Sequence, residues 1–434
     1  MAPGRSTFAS LRVRNFRLFF GGQLVSLSGT WMQTVARAWL VLEVLGGGAV
    51  AVGVVAALES LPTLLFGAWA GVVADRVDKR RALVVTQAVM AILAAAMAVL
   101  TLSGRIELWM VYVLTFGQGL TNMIDLPIRQ TFVGEMVPPR LLANGVALNA
   151  ALFNSARVIG PAIGGVVIVL VGTGTCFAFN AVSYLAVLAS LLALRPGELH
   201  RVPGIPRARG QVREAVRYVR ANHDLRDNLI LTALVMVVVN ASQVVLPVLA
   251  EESFDGSAVV YSAMTVAVGI GAVAGALVAA GRSAPTLRML VVTSGAFGVC
   301  MVAAGLAPVL LLALPALVLV GMTSIAFAST SMAKAQLESA PDMRGRVLAL
   351  RLLTVVGTAP LAAPAVGALA EALSPRWAMA LIGLVPIGGA VVFGVRSSRQ
   401  DRSGPDGVQA DAPGRPGRVP VVARAGLLRR PAET

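Results

Sequence analysis

The sequence predicts an all-α integral membrane protein with twelve transmembrane helices in two six-helix bundles. Three observations lead to this fold class: the composition, the recurrence of long apolar stretches, and a weak repeat between the two halves. Of the 434 residues, 57% are hydrophobic and only 13% are charged, and the mean hydropathy is +0.79. Soluble surfaces need more polar residues than this, so most of the chain must have lipid as its solvent.

Twelve apolar stretches follow one another along the chain from Phe19 to Val395. Each has about 17 to 25 residues, enough for one helix to cross a hydrocarbon core of roughly 30 Å. The predicted spans, numbered 1 to 12 in chain order, cover residues 19–43, 50–74, 82–102, 108–131, 146–171, 176–194, 229–250, 258–280, 289–306, 309–331, 352–373 and 377–395.

Positive charge is concentrated on one side of the predicted membrane. Of the 36 Lys and Arg residues, Arg37 and Arg157 lie deep within spans, and Arg105 and Arg376 lie in loops on one side of the membrane. The other 32 lie on the opposite side, in its loops or, like Arg129, at the end of a span that borders it. In membrane proteins the cytosolic loops carry an excess of Lys and Arg over the loops on the other side. The pattern predicts a multi-pass protein of the cell (plasma) membrane with both termini in the cytosol. A nucleic-acid partner is not expected, because the arginines are spread over alternate loops instead of one folded face.

A long polar segment between spans 6 and 7 interrupts the series of apolar stretches and divides the chain into two halves. Residues 195–228 are basic and contain three prolines. Within them, residues 211–222 place apolar side chains on one helical face and arginines on the other, which predicts an amphipathic helix on the membrane surface. The predicted organisation is an N-terminal six-helix bundle (1–194), a cytosolic linker (195–228), a C-terminal six-helix bundle (229–395) and a disordered cytosolic tail (396–434).

The two halves repeat one another weakly. Segments 130–148 and 336–350 both begin with Gln near the end of one span. Each continues through Pro and then Arg, and ends with an Ala-Leu pair near the start of the next span. Gly71 likewise has a counterpart in Gly275, between the second and third spans of the other half. Two halves in the same orientation are the architecture of a rocking transporter with its substrate site near the membrane midplane.

The loop after span 2 has a Gly, an Asp and several basic residues at a spacing that resembles the signature of the major facilitator superfamily. The matching residues are Gly71, Asp75, Arg76, Arg80 and Arg81. Where the family usually has a second Gly, this chain has Asp78. A carboxylate that faces a helix N-terminus gains about 0.3 to 1 kcal/mol from the helix dipole. The resemblance implies that Asp75 acts as a conformational latch.

Span 5 contains a run of small residues around a proline that is similar to the Gly-Pro signature of the superfamily's exporters. The run consists of Arg157, Gly160, Pro161, Gly164 and Gly165. Pro removes a backbone donor and bends the helix, while Gly allows another helix to approach closely. The resemblance implies antiport, and the alternative is ordinary helix packing through small residues.

Two further segments look like those of the enterobactin and macrolide exporter branch of the superfamily. They are Asp125-Leu-Pro-Ile-Arg129-Gln and Arg344-Gly-Arg346-Val. The resemblance covers nearly the whole chain and implies export, but members of this branch move different molecules, so it does not identify the cargo. Proton-coupled exporters carry an arginine ahead of a Gln-Gly pair in span 4, and this chain has Thr115 in that position.

Charged residues inside spans are functional candidates, because each costs roughly 2.5 to 3.5 kcal/mol to insert. Arg37 and Glu59 lie at similar depths in spans 1 and 2, which predicts that they pair. Asp125 is one turn from Arg129 and in the same half of the membrane as Arg157, so it can pair with either. For both carboxylates the alternatives are a static ion pair and a proton carrier.

Several aromatic and amide side chains are candidates to line a cavity for an amphipathic ligand, through stacking and a few hydrogen bonds. Helix packing is the alternative for each of them. They are Trp31, Gln33, Trp39, Gln118, Asn122, Asn149, Asn240 and Gln243.

The chain contains no Gly-x-x-x-x-Gly-Lys loop, nucleophile elbow or metal-ligand cluster, so an enzyme, a cofactor and a metal site are not expected. The sequence predicts a secondary active efflux transporter for drug-, macrolide- or siderophore-type molecules, with proton antiport as the drive. Its expected partners are the substrate, the coupling proton and membrane lipid, and it is expected to be a monomer. The alternatives are an importer of the same fold and a membrane sensor or scaffold that transports nothing.

Overall fold

The computed structural model describes residues 7–200, 211–254, 256–280, 285–340 and 343–402, and within these ranges it contains helices and no strands. The N-terminal half consists of α1 (Arg14–Trp39), α2 (Gly48–Arg76), α3 (Lys79–Leu102), α4 (Leu108–Met136), α5 (Leu142–Val171) and α6 (Thr173–Leu192). A π-helical turn, Leu40–Val44, prolongs α1.

Short connections keep neighbouring helices antiparallel. Gly46 and Gly172 adopt positive φ angles of 58° and 85°, which let the chain turn tightly after α1 and after α5. Asp78 caps α3, because its carboxylate accepts a hydrogen bond of 3.0 Å from the backbone N–H of Arg81. The residue that departs from the family signature therefore stabilises the start of the next helix.

The linker and the C-terminal half contribute the remaining helices. They are α7 (Gln211–Ala221), α8 (His223–Ser253), α9 (Ala258–Ala280), α10 (Leu287–Leu306), α11 (Leu310–Glu338), α12 (Arg344–Gly357), α13 (Ala359–Ala372) and α14 (Pro375–Arg402). α8 begins inside the predicted linker, and α14 continues to Arg402, inside the predicted tail. The rest of the tail, 403–434, lies outside the described residues.

Ten helical segments in the described residues are long and apolar enough to cross a membrane. These segments correspond to every predicted span except 1 and 4. α1 and α4 are long enough, but uncharged polar residues lower their hydropathy, among them Gln23, Ser26 and Gln33 in α1 and Gln118 and Asn122 in α4. The all-helical membrane fold is confirmed, and the count of twelve spans stays a prediction for these two helices.

Predicted span 11 is not one regular helix. α12 ends at Gly357 and α13 begins at Ala359, with Thr358 between them. Pro360 accounts for the break, because proline has no N–H to donate to a carbonyl of the preceding turn. Asn240 of α8 bridges the break by donating to the Val355 carbonyl at 3.2 Å and to Thr358 Oγ1 at 3.0 Å.

The linker helix α7 packs against the C-terminal half. Ala215 and Val219 on its apolar face are buried, and Val219 belongs to a hydrophobic cluster with Leu225 and Val347. Glu214 forms a 2.6 Å ion pair with Arg346 of α12. The structure has a helix in this part of the linker, and protein covers Ala215 and Val219 of the apolar face that was expected to lie on the membrane.

The two halves approach each other through glycines at one end of the molecule. A Cβ atom on Gly53 of α2 would lie 2.5 Å from the Ala363 carbonyl of α13, and one on Gly367 would lie 2.6 Å from the Ala49 carbonyl. Gly165 of α5 brings that helix equally close to Ser262 of α9. We call this the closed end; it is the end at which α2 begins and α5 finishes.

Candidate functional site

A buried ion pair lies in the N-terminal bundle, at the level predicted for Arg37 and Glu59. Arg37 Nη2 contacts Glu59 Oε2, and Arg37 Nη1 donates a 2.8 Å hydrogen bond to Gln118 Oε1 of α4. The Arg37 side chain is 4% exposed, whereas that of Glu59 is 39% exposed. The guanidinium is therefore fixed among protein groups, while the carboxylate remains accessible.

The ion pair lies where two helices of the N-terminal bundle pack closely. A Cβ atom on Gly119 would lie 2.4 Å from the Glu59 carbonyl, so α2 and α4 nearly touch here. Tyr261 of α9, which is 3% exposed, lies within electrostatic reach of Arg37. The pair therefore lies where α2 and α4 meet, and a tyrosine of the opposite bundle is near Arg37.

Asp125 is the centre of a second polar network. Its carboxylate accepts hydrogen bonds from Thr86 Oγ1 at 2.7 Å and Gln87 Nε2 at 2.8 Å, and Arg129 Nε lies 3.4 Å away. Arg129 also donates to Gln23 of α1 at 3.2 Å. Of the two partners considered for Asp125, the structure pairs it with Arg129. At 1% exposure and with three partners, Asp125 fits a static tie between helices better than Glu59 does.

Arg157 lies elsewhere, over an aromatic ring. Its guanidinium is 5.5 Å from the ring centroid of Trp31, and Trp31 packs edge-on against Phe153 with centroids 5.9 Å apart. In the described residues no carboxylate, carbonyl or hydroxyl accepts a hydrogen bond from this guanidinium. A cation–π contact provides about 0.5 to 2 kcal/mol, less than the roughly 2.5 to 3.5 kcal/mol cost of placing the charge in a membrane.

The glycines of the helix 5 motif place α5 between two neighbours. A Cβ atom on Gly160 would lie 2.5 Å from the Ser28 carbonyl of α1, and one on Gly164 would lie 3.2 Å from Met32. Gly165 faces α9 of the other bundle, and Pro161 lies inside the helix. The motif thus joins a helix of its own bundle to a helix of the opposite one. An antiport role for the motif stays a prediction.

The loop between α2 and α3 is described in part. Arg80 donates to the carbonyls of Leu191 and Leu192 at 2.7 and 3.1 Å, which satisfies the C-terminal end of α6. Arg76 and Arg81 are exposed. The side chain of Asp75 and the surroundings of Gly71 lie outside the described residues, so the latch stays a prediction.

Apart from Trp31, which lies under Arg157, the predicted cavity residues divide into two groups. Gln33 and Trp39 are buried at 4% and 6% exposure; Gln33 accepts a 2.6 Å hydrogen bond from Asn180, and Trp39 belongs to the main hydrophobic core. Gln118 accepts a hydrogen bond from Arg37, and Asn240 donates to the Val355 carbonyl at the break between α12 and α13. A second group is half-buried, and its amides have no hydrogen bond among the described residues: Asn122, Asn149 and Gln243.

Sequence reasoning missed three polar groups that the structure buries or uses between helices. Lys334 of α11 is 5% exposed and contacts Glu338. Arg351 of α12 donates to the Ala328 carbonyl at 3.0 Å and to Ser331 at 3.1 Å. Glu371 of α13 accepts a 2.8 Å hydrogen bond from the backbone N–H of Val50 in α2. Lys334 and Arg351 belong to charged stretches that read as loop. Glu371 lies two residues from the predicted end of span 11, where its charge reads as one at the membrane surface.

Glu371 links the two bundles at the closed end, which leads to a prediction. Its carboxylate faces the first turn of α2, where the helix dipole favours negative charge. We expect Glu371→Ala to weaken closure by about 0.5 to 1 kcal/mol, a twofold to fivefold shift toward opening, because the contact is exposed. Single-molecule fluorescence between dyes at the closed end measures the populations, with Glu107→Ala as the control. Unchanged populations would contradict the prediction.

Comparison with known proteins places these features in a family. The chain is 27% identical over 267 residues to the staphyloferrin A transporter of Staphylococcus aureus, a match that covers 60% of this chain and 66% of that protein. It is 21% identical over 303 residues to macrolide efflux protein A of Streptococcus pyogenes, covering 68% and 73%. A third match, 31% identical over 155 residues, is to the multidrug efflux pump Tap of Mycolicibacterium fortuitum, covering 34% and 37%. The matched region thus spans slightly less than two thirds of the staphyloferrin A transporter.

Solved structures agree on the fold. A bacterial homologue of the human lysosomal transporter Spinster, inward-facing and unoccupied, superposes with a TM-score of 0.70 at 14% identity and covers 90% of this chain and 99% of that one. A POT family transporter in complex with 5-aminolevulinic acid gives the same score and identity, covering 89% and 96%. The family model described as transmembrane secretion effector matches residues 5–403. The chain therefore belongs to the transmembrane secretion effector family of the major facilitator superfamily, a family of transporters and not of enzymes.

Proposed function

We propose that this chain is a secondary active exporter, which moves small amphipathic molecules of drug, macrolide or siderophore type out of the cell by alternating access. The observation that carries the proposal is the position of the close glycine contacts between the bundles, which lie toward one end of the molecule in the part that the structure describes. Two parallel bundles that close at one end can rock about a central site.

The direction of export rests on the charge pattern and on the relatives. If the positively charged loops face the cytosol, the closed end faces outward and the passage opens to the cytosol and inner leaflet. An exporter collects its cargo in this state. The names of two relatives, a macrolide efflux protein and a multidrug efflux pump, support export, and the staphyloferrin A transporter adds a further small organic cargo.

We assign the coupling proton to Glu59. Protonation of this carboxylate would remove the counter-charge of Arg37, which is 3% exposed, and so change the electrostatics beside α9. A membrane potential of ~100 mV supplies about 2.3 kcal/mol per proton, enough for a roughly fiftyfold gradient of a neutral cargo. One proton per cycle therefore suffices. In this scheme the Asp75 loop acts as the latch of one state, and a single chain encloses the whole passage, so the monomer is the working unit.

Accumulation of dyes, macrolides and siderophores in efflux-deficient cells tests the proposal. Cells that produce the chain should accumulate severalfold less of at least one compound, and a protonophore should restore the level. Faster uptake of a solute would instead indicate an importer. Loss of the cellular effect on removing residues 397–434, with no transport of any compound, would indicate a sensor or scaffold. A reduction that the protonophore leaves unchanged would exclude proton coupling.

A further inference from the structure

Arg157 differs from the other cations deep in the described helices, because those have a polar partner. Arg37 contacts Glu59, Arg129 lies beside Asp125, and Arg351 donates to main-chain and side-chain oxygens of α11. Arg157 has the ring of Trp31 and, within the described ranges, no acceptor. A guanidinium carries five N–H donors, and stacking on a ring leaves them free at the edge of the guanidinium plane.

The position of this group suits contact with a transported molecule. The α5–α9 contact of the closed end reaches Val158, whose side chain would lie 2.8 Å from a Cβ atom on Gly269. Phe153, 41% exposed, is just over one turn further from the closed end, and Asn149, half-buried, one more. Spacings of four residues align these side chains with Arg157 on one face of α5. Arg157 thus lies where the contact between α5 and α9 ends. Phe153 and Asn149 follow it on the same face of α5, farther from the closed end.

We propose that Arg157 and Trp31 form a subsite for a carboxylate on the cargo, which makes monoanionic amphipathic molecules the preferred substrates. Arg binds a carboxylate through two parallel hydrogen bonds, and Phe153 offers an apolar surface for the body of the same molecule. One unpaired cation neutralises one negative charge, so a monoanion leaves the site neutral, whereas a cationic molecule is repelled. The inference rests on the proposed export function and specifies the chemistry of its cargo.

Binding of two matched probes tests the subsite. The full chain in lipid nanodiscs is titrated with naphthylacetate and with naphthylacetamide, which have the same aromatic body with and without the negative charge. We expect naphthylacetate to bind at least tenfold more tightly to the wild type. Arg157→Gln should bind both probes equally, and Arg157→Lys should keep part of the preference. Equal binding of the probes by the wild type, or binding of neither, would overturn the proposal.

Two controls separate the subsite from effects on folding and on transport. Arg351→Gln removes another cation whose donors are already occupied, so it should keep the full preference for naphthylacetate. Retained preference in Arg157→Gln would also overturn the assignment. If Arg157→Gln fails to fold, the comparison of the two probes on the wild type and on Arg157→Lys still decides. Efflux is measured separately. A preference for the carboxylate without efflux would contradict export and support the subsite. Efflux without the preference would support export and overturn the subsite.

Discussion

Replacement of Glu59 by Gln is expected to reduce proton-driven transport by at least about thirtyfold, the equivalent of roughly 2 kcal/mol, while the protein remains folded. Gln resembles protonated Glu and can still accept a hydrogen bond from Arg37, but it cannot release a proton. The variant should therefore remain in the proton-loaded form. Exchange of cargo between the two sides, which needs no net proton movement, should continue.

Proteoliposomes measure both quantities, net transport driven by an imposed pH gradient and exchange of labelled for unlabelled cargo. Glu107→Gln, which changes an exposed carboxylate that contacts Trp109, is the matched control and should leave both unchanged. The cost to the free energy of unfolding should be about 1 to 2 kcal/mol, less than the ~3 to 5 kcal/mol of a fully buried pair, because the Glu59 side chain is 39% exposed. Undiminished net transport would exclude Glu59 as the carrier.

Replacement of Gly367 by Ala should open the closed end and reduce transport by tenfold or more, on the order of 1.4 kcal/mol. The added Cβ would lie 2.6 Å from the Ala49 carbonyl oxygen and 3.0 Å from its carbonyl carbon. These are backbone atoms within a helix, so they cannot rotate away as a side chain can. The bundles must separate, and the balance shifts toward the opposite conformation.

Labelling of a cysteine at Val52, which is 4% exposed, reports this opening. The background carries Cys176→Ser and Cys300→Ser, and a membrane-impermeant maleimide is applied from outside the cell. Gly367→Ala should raise the labelling rate severalfold. Gly388→Ala is the control, because its added Cβ meets open space and alanine favours the helix by about 1 kcal/mol. An unchanged rate, together with full transport, would show that the contact yields without separating the bundles.

The sequence was sufficient for the fold class because membrane helices are long and uniformly apolar. The same uniformity hides which face of a helix meets protein. In water an apolar stripe marks the buried side, but lipid is as apolar as a protein core. For this reason the sequence left open whether Gln33 and Trp39 line a cavity or pack between helices, and the structure buries both. The apolar face of α7 was expected on the membrane, and part of it packs against protein.

Charged residues gave better guidance to the candidate site. Equal depth in two spans predicted that Arg37 and Glu59 meet, and the structure brings them together. The sequence alone did not decide the partner of Asp125, since both Arg129 and Arg157 were predicted to lie near it. The structure pairs Asp125 with Arg129. Glu371 is a charge near the end of a predicted span, but its neighbours in the sequence do not identify its partner, a main-chain N–H in a helix 321 residues away.

The linker is attached to both bundles, and its length limits how far apart its two points of attachment can move. Its first residues are held to the N-terminal bundle, where Asn15 bonds the backbone of Arg195 and the His200 N–H donates to the Glu135 carbonyl at 2.8 Å. Its helix, which begins at Gln211, is docked on α12. A fully extended chain covers about 3.3 to 3.6 Å per residue, so His200 and Gln211 can move apart to roughly 40 Å and no further. This length sets an upper limit on the distance between the two points of attachment, and the limit holds whatever the strength of the contacts between the halves.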